Sequence, residues 1–390
     1  MAMIVVRLKK GKDTAIRKGF PWIYVGDLVD SSQWRIASPG VLVRVETQKG
    51  EYVGTAYLNP QSQITCRILT LSNEPIDETF FYKRFQVALA RREHIINVPY
   101  YRLVHSEADG LPGLTIDRFG EILVVQVATA GMEALQSLWM PALEALLQPQ
   151  AVVLRNDIPV RRLEGLLQSV SVVKGTVPEW VEVREYDTLF LADVIKGQKT
   201  GWFYDQRDNR KMIANLADGK TLLDVYSHSG GFGIPAARAG ADVTLVDSSR
   251  PALELAAKAA ALNGVAMEAI CADAFEAMQR LVSSKQSFDM VCVDPPPFVK
   301  SKKDFAAGMK GYEKMARLAA PLVKPGGLLF AASCSHHATR GAFNNAILAG
   351  INKSCRDAAI LKQTGAAPDH PCHPMLPQSE YLKGLLLKLS

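Results

Sequence analysis

The stretch LLDVYSHSGGFG (residues 222–233) decides the fold. It starts as an apolar strand, reaches Asp224, and then breaks into a loop in which Gly230, Gly231 and Gly233 open a helix. Glycines at that point let a backbone approach a ligand at the carboxyl end of a first strand. Around this stretch, strands alternate with helices: ADVTLVDSS (241–249), PALELAAKAAALNG (251–264), MEAICADA (267–274), FDMVCVDPPPF (288–298) and GGLLFAASCS (326–335). The Ala/Leu helix has Pro in its first turn and closes on Asn-Gly. AAILKQTG (358–365) and YLKGLLLKL (381–389) can supply final strands. Repeated units of this kind predict an α/β doubly wound sheet over residues 190–390.

The rest of the chain reads differently. GVLVRVET, YVGTAYLN and SQITCRIL (40–69) are short branched runs split by QKGE, which predicts a small β-rich module over residues 1–72. Residues 79–97 have helical spacing, GLTIDRFGEILVVQVAT predicts a hairpin around Gly120, MEALQSLWMPALEALL an amphipathic helix and AVVLRND a strand. These predict a small α/β middle domain over 73–189. At 390 residues more than one core is expected.

Charge adds a second clue. The net charge is +6, and residues 1–72 hold ten Lys/Arg against five Asp/Glu, so +5 of the excess sits in the first fifth of the chain. A compact basic module is a footprint for phosphate backbones, and Lys9, Lys10 and Arg17 are its candidates. Six scattered cysteines form no CxxC pair, arguing against a disulfide framework or zinc ribbon. No apolar run suggests a signal peptide or a membrane span, so a cytoplasmic protein with no membrane partner is expected.

Chemistry concentrates at strand ends. The 222–233 loop lacks G-x-G-x-x-G spacing and resembles the methionine-moiety loop of class I S-adenosylmethionine methyltransferases. Asp247 ends the next strand, where an acid can take ribose hydroxyls, and Asp273 the third, where it can meet an adenine amino group. Each Asp alone could equally be a helix cap. Asp294 opens DPPPFVKSKKDF, whose rigid prolines could hold a flat ring, with Lys300, Lys302 and Lys303 toward phosphates or simply solvated. Cys334 lies past the apolar run of the neighbouring strand, flanked by Ser333 and Ser335. A thiolate there could add to C6 of a pyrimidine and make C5 nucleophilic, with Asp294 holding a proton on N3. A core thiol remains an alternative. So does a metal ligand with His336, His337, His370, Cys372 and His373, although the spacing matches no zinc pattern and no metal is expected.

At these residues the chain resembles the RlmI-type family, bacterial 23S ribosomal RNA methyltransferases that make 5-methylcytosine. The likeness spans the chain and is carried by RKGFPWIYVGDL (17–28), EADGLPGLTIDRFG (107–120), GQKTGWFYDQRDNR (197–210), SGGFG (229–233), DPPPFVKSKKDF (294–305), GYEKMARLA (311–319) and SCSHH (333–337). It implies a PUA-like RNA-binding domain (1–72), the middle domain and a class I methyltransferase domain. It also implies S-adenosylmethionine as cofactor, Cys334 as nucleophile and Asp294 as acid. The cofactor would meet Asp224, Tyr226, Ser229, Gly230, Gly231, Asp247, Ser248, Asp273, Ala274 and Asp294, with Lys199, Thr200, Tyr204 and Gln206 bordering it. The RNA would meet Pro295, Pro296, Phe298, Lys300, Lys302, His336, Lys9, Lys10 and Arg17. The implied partner is 23S rRNA or a large-subunit precursor, and a homodimer is compatible with the sequence. Pro297 stands where many RNA 5-methylcytosine enzymes have a second Cys, so the base that takes the C5 proton is not identified. His228 stands where an aromatic is expected, and Cys372 where an apolar residue is. Two rival functions are N-methylation of a guanine without a thiol, and a non-catalytic RNA-binding assembly factor.

Overall fold

The computed structural model describes residues 3–390, which divide into two compact units. The first holds residues 3–181, 193–202 and 368–377; the second holds 182–192, 203–367 and 378–390.

The first unit has two five-stranded sheets. One is built from β1 (Ile4–Arg7), β2 (Trp22–Tyr24), β3 (Leu42–Glu46), β4 (Tyr52–Leu58) and β5 (Ile64–Thr70), in the order β1-β3-β4-β5-β2. Alternation in β3 sends Val43 and Val45 inward beside Val6, Ile23 and Trp34. The other contains β6 (Tyr100–His105), β7 (Leu114–Phe119), β8 (Ile122–Val127), β9 (Ala151–Arg155) and β10 (Val170–Lys174), in the order β10-β9-β8-β7-β6. The predicted hairpin is β7–β8, with only Gly120 and Glu121 between the strands. Helices Glu78–Glu93 and Gln136–Leu147 supply Phe81, Phe85 and Trp139 to its core. The expected single helix over 132–147 is two, Ala130–Ala134 and Gln136–Leu147, parting at Leu135. Leu135 departs from helical ψ there, while Pro141 sits inside the second helix without ending it.

Buried polar groups join the two sheets. Glu164, 2% exposed, accepts from Arg67 (2.9 Å), Asn59 (2.8 Å) and Ser62 (3.0 Å). Tyr57 donates to the Pro112 carbonyl at 2.8 Å. A side chain at Gly131 would strike the Tyr57 ring at 2.1 Å, so only glycine fits there. Arg67 therefore contributes nothing to a basic surface: its charge is buried and paired. Lys12, Arg17 and Arg35 also pair, with Asp27, Asp13 and Asp30. Those three acids are already subtracted in the +5, so of these pairs only Arg67–Glu164 takes charge from it.

The second unit opens with a hairpin, β11 (Val181–Glu185) and β12 (Thr188–Ala192), whose first residue, Val181, falls in the first unit. A seven-stranded sheet follows: β13 (Thr221–Val225), β14 (Asp242–Asp247), β15 (Glu268–Cys271), β16 (Phe288–Val293), β17 (Val323–Ser333), β18 (Ala358–Thr364) and β19 (Lys383–Leu389). The order is β15-β14-β13-β16-β17-β19-β18. The first five run parallel, whereas β19 is antiparallel to both its neighbours. The strand order reverses beside β13, so the carboxyl ends of β13 and β16 open the crevice where such sheets hold ligands. The buried positions of β13, β16 and β17 in the sheet centre, from Leu222 to Ala332, are apolar except for Asp224.

Candidate active site

The loop after β13 is held in an unusual shape. Tyr226 (φ 63°) and His228 (φ 49°) lie in the left-handed region, as does Gly230 (φ 81°). Non-glycine residues persist there only when their surroundings fix them. Asp224 supplies one restraint, accepting from the Gly233 N–H at 2.9 Å. Asp247, at the end of β14, supplies another by accepting from the His228 N–H at 2.8 Å, while its second oxygen accepts from Ser249. Gly233 is needed for packing, since a Cβ there would lie 2.4 Å from Leu245. Gly231 has open space, with Arg210 the only neighbour at 3.5 Å.

Two buried polar atoms in this loop have no hydrogen-bond partner: Asp224 Oδ1 and Ser227 Oγ. Burial, with Asp294 and Asp247 nearby, pushes the Asp224 carboxyl up to about 8 despite the Gly233 bond. Burial, then the charges of Asp273 and Asp247, likewise hold the proton on Tyr226. Unsatisfied buried polar groups cost stability unless something meets them. A strained loop with two such atoms, between strand-end carboxylates, fits a polar ligand such as S-adenosylmethionine.

The other predicted cofactor residues divide. Asp273 caps helix Ala274–Ser283, its Oδ1 accepting from Phe275 and Glu276, so the capping role is real and Oδ2 lies outside it. Ala274 is buried in that first turn, Ser248 is exposed after β14, and Ser229 is buried with its hydroxyl 3.1 Å from His228 Nδ1. The segment 197–210 is split between the units. Thr200, fully buried in the first unit, donates to Asp117 at 2.5 Å, and Lys199 there has φ 51°. In the second unit Tyr204 is buried under the Arg207 guanidinium, while Gln206 takes a hydrogen bond from Asn209 (2.6 Å) and donates to Asp294 Oδ2 (2.8 Å). Gln206 thus orients the Asp294 carboxylate.

Cys334 is half-buried just beyond β17. The core cysteine of this sheet is Cys292, in β16, whose thiol burial pushes far up. Both neighbours of Cys334 turn inward. Ser333 donates to the Tyr312 hydroxyl at 2.7 Å, and that hydroxyl meets Ser335 Oγ at 2.8 Å. Ser335 Oγ also accepts from the Val299 N–H at 3.1 Å, fastening this turn to the loop that Asp294 begins. With its neighbours pinned inward, the residue between them is left toward the surface.

Phe298, expected to meet the RNA, is half-buried. Its ring lies 4.8 Å from that of Tyr312 and 6.2 Å, stacked, from that of Phe275. It sits against helix Phe305–Ala319, where a Cβ at Gly311 would reach 3.0 Å from it and one at Gly308 2.7 Å from its carbonyl. Phe298 therefore packs the loop down. Pro295 is buried, while Pro296, Pro297, Lys300 and Lys302 are exposed. His336 is exposed and stacks on Tyr381, 5.0 Å away. In the first unit Lys9, Lys10 and Arg17 are exposed; Lys9 donates to the Gly26 carbonyl and Arg17 pairs with Asp13. Among the described residues no three His, Cys, Asp or Glu side chains are grouped to hold a metal ion, and no helix is long and apolar enough to cross a membrane. Sequence reading missed Ser227, Tyr312 and Lys383. Only Lys383, a charge inside an apolar strand, left a signal.

Comparisons place this geometry. Residues 119–388 match the S-adenosylmethionine-dependent methyltransferase family, and residues 6–71 match a PUA-like domain. The chain is 34% identical over 388 residues to the ribosomal RNA large subunit methyltransferase I of Photobacterium profundum, covering 97% of this chain and 98% of that one. It is 33% identical to the protein of the same name from Cronobacter sakazakii, covering 97% of each. A solved chain described as an S-adenosylmethionine-dependent methyltransferase from Streptococcus mutans shares the fold at TM-score 0.82 and 21% identity, covering 99% of this chain and 100% of its own.

Proposed function

Since the chain belongs to the S-adenosylmethionine-dependent methyltransferase family, alongside the ribosomal RNA large subunit methyltransferase I proteins, we propose that it methylates C5 of a cytosine in 23S rRNA through a covalent bond to Cys334. The observation that carries this reading is the turn at Cys334: a half-exposed thiol between two inward-pinned serines, tied through Val299 to the Asp294 loop. A core thiol needs no such support.

Asp247, Asp273 and the Gly230–Gly231 loop would hold the cofactor, which when bound would supply an electrophilic methyl group. C5 of cytosine is a poor nucleophile, and Cys334 remedies that. Its thiolate forms a bond to C6, and the C5–C6 π electrons move to C5. Asp294, oriented by Gln206, holds a proton at N3 and so stabilises the electron-rich ring. C5 takes the methyl group as the methyl–sulfur bond of the donor breaks and S-adenosylhomocysteine leaves; loss of the C5 proton to a base then restores the double bond and expels the Cys334 sulfur. Pro296 and Pro297 line the approach for one unstacked base, and the exposed Lys300 and Lys302 suit its flanking phosphates. The basic residues Lys9 and Lys10 of the PUA-like module (1–72) suit structured RNA, as expected for a cytoplasmic enzyme acting on rRNA or its precursor.

Mass mapping of methylated nucleosides in 23S rRNA, from cells with and without the protein, tests the reading. The expected result is one 5-methylcytosine that disappears without the protein and is not restored by Cys334→Ala. A lost N-methylguanine, or full activity in Cys334→Ala, would refute the covalent route.

A further inference from the structure

β19 is apolar and buried at Leu385, Leu386 and Leu387, yet it begins with a lysine that is only 4% exposed. Burying an ammonium among leucines is costly unless its N–H groups are met. Two are: Lys383 Nζ donates to the Ser335 carbonyl at 2.7 Å and to the Ala338 carbonyl at 2.8 Å. Both acceptors belong to the turn that starts at Cys334. The register puts Lys383 directly across from Ser333, the residue before Cys334. Ser333 and Ser335 are held from the other side by Tyr312, so Lys383 and Tyr312 grip the same turn from opposite elements.

Resting on the covalent reading above, we propose that Lys383 is a positioning residue for Cys334. Its ammonium fixes the Cys334–Ala338 turn and supplies the positive charge that stabilises the thiolate. The thiol gives its proton to solvent, and Lys383 keeps its own three. The charged and titratable groups around the pair are Arg340 and Glu380, which pair with each other at 2.6 Å, together with Tyr312, His336 and Tyr381. Arg340 adds positive charge and Glu380 offsets it, leaving the lysine as the buried cation of the turn. Burial lowers Lys383 to about 8, an effect the neighbouring Cys334 opposes, so the ammonium still dominates at neutral pH and the support fades above about pH 8.

The test is the pH dependence of Cys334 alkylation by iodoacetamide, read by peptide mass spectrometry on the full chain. In the unsubstituted protein Cys334 is expected to react at lower pH than Cys355, an exposed thiol that serves as internal reference. Lys383→Met is expected to slow Cys334 alkylation at pH 7 about tenfold and to raise its midpoint by about one unit, with Lys383→Arg restoring most of both. S-adenosylhomocysteine binding reports whether each variant is folded. A folded Lys383→Met variant with an unchanged midpoint would overturn the proposal. If that variant does not fold, a Cys334 midpoint no lower than that of Cys355 would do so. Alkylation reads the thiol itself, so this outcome is independent of whether Cys334→Ala retains methyl transfer.

Discussion

The end of β17 and the basic face of the N-terminal sheet are both proposed to meet RNA, and they are built in opposite ways. At β17 the groups that hold the Cys334 turn are buried and committed: Ser333 and Ser335 to Tyr312, Lys383 to two carbonyls. On the N-terminal sheet Lys9 and Lys10 are exposed, and much of the surrounding charge is spent on local pairs such as Lys12 with Asp27. Buried, fixed groups can act on a reacting atom without reorganising. Exposed lysines attract phosphates over a distance set by salt and tolerate imprecise placement. The contrast predicts that substitutions near Cys334 change turnover, whereas those on the sheet change affinity and its salt dependence.

Three measurements test that division. Asp294→Ala is expected to reduce methyl transfer by about 10²- to 10⁴-fold, the usual range for a lost proton-handling group, with RNA affinity nearly unchanged. An unaltered rate would remove Asp294 from the chemistry. Replacing Lys9, Lys10 and Arg17 together by Ala is expected to weaken RNA binding about tenfold at low salt and to flatten the log–log salt slope by about 2 to 3. A drop in single-turnover rate at saturating RNA would instead blur the comparison. Tyr312→Phe removes one hydroxyl that meets both serines, so a loss of about 1 kcal/mol and a turnover lower by about fivefold are expected, with cofactor affinity intact.

The smallest effect concerns stability without ligand. Asp224 is raised from its unfolded 3.8 to about 8, so its folded state favours the protonated carboxyl. That contribution is full below about pH 4 and is lost as pH rises toward 8. The Asp224→Asn variant lacks the slope, and its melting temperature should match the parent at low pH and exceed it by a few degrees near pH 8. Parallel melting curves across that range would show that Asp224 does not hold its proton.

Strand ends were legible because each apolar run of the sheet stops at a residue with evident chemistry: Asp224, Asp247, Asp294, Cys334. The serines beside Cys334 were visible too, but their purpose was not. Tyr312 meets them from a helix more than twenty residues away, and Lys383 from a strand nearly fifty residues on, and no local pattern encodes such meetings. The basic count of residues 1–72 includes Arg67, whose partner Glu164 lies outside that segment and is equally invisible to a local reading. Asp273 could be read as a ligand or a cap, and the helix that follows it uses it as a cap. Nor does the sequence show that Gly308 and Gly311 make room for Phe298 against a helix.

The place of β19 bears on how the enzyme assembles itself. It lies between β17 and β18, both of which precede it in the chain, so β18 joins the sheet only through the insertion of β19. Lys383 arrives with that insertion. Without β19 the sheet would stop at its five parallel strands, and the turn at Cys334 would lack the bonds from Lys383. On the reading proposed above, the strand that completes the sheet also carries the charge that arms the nucleophile.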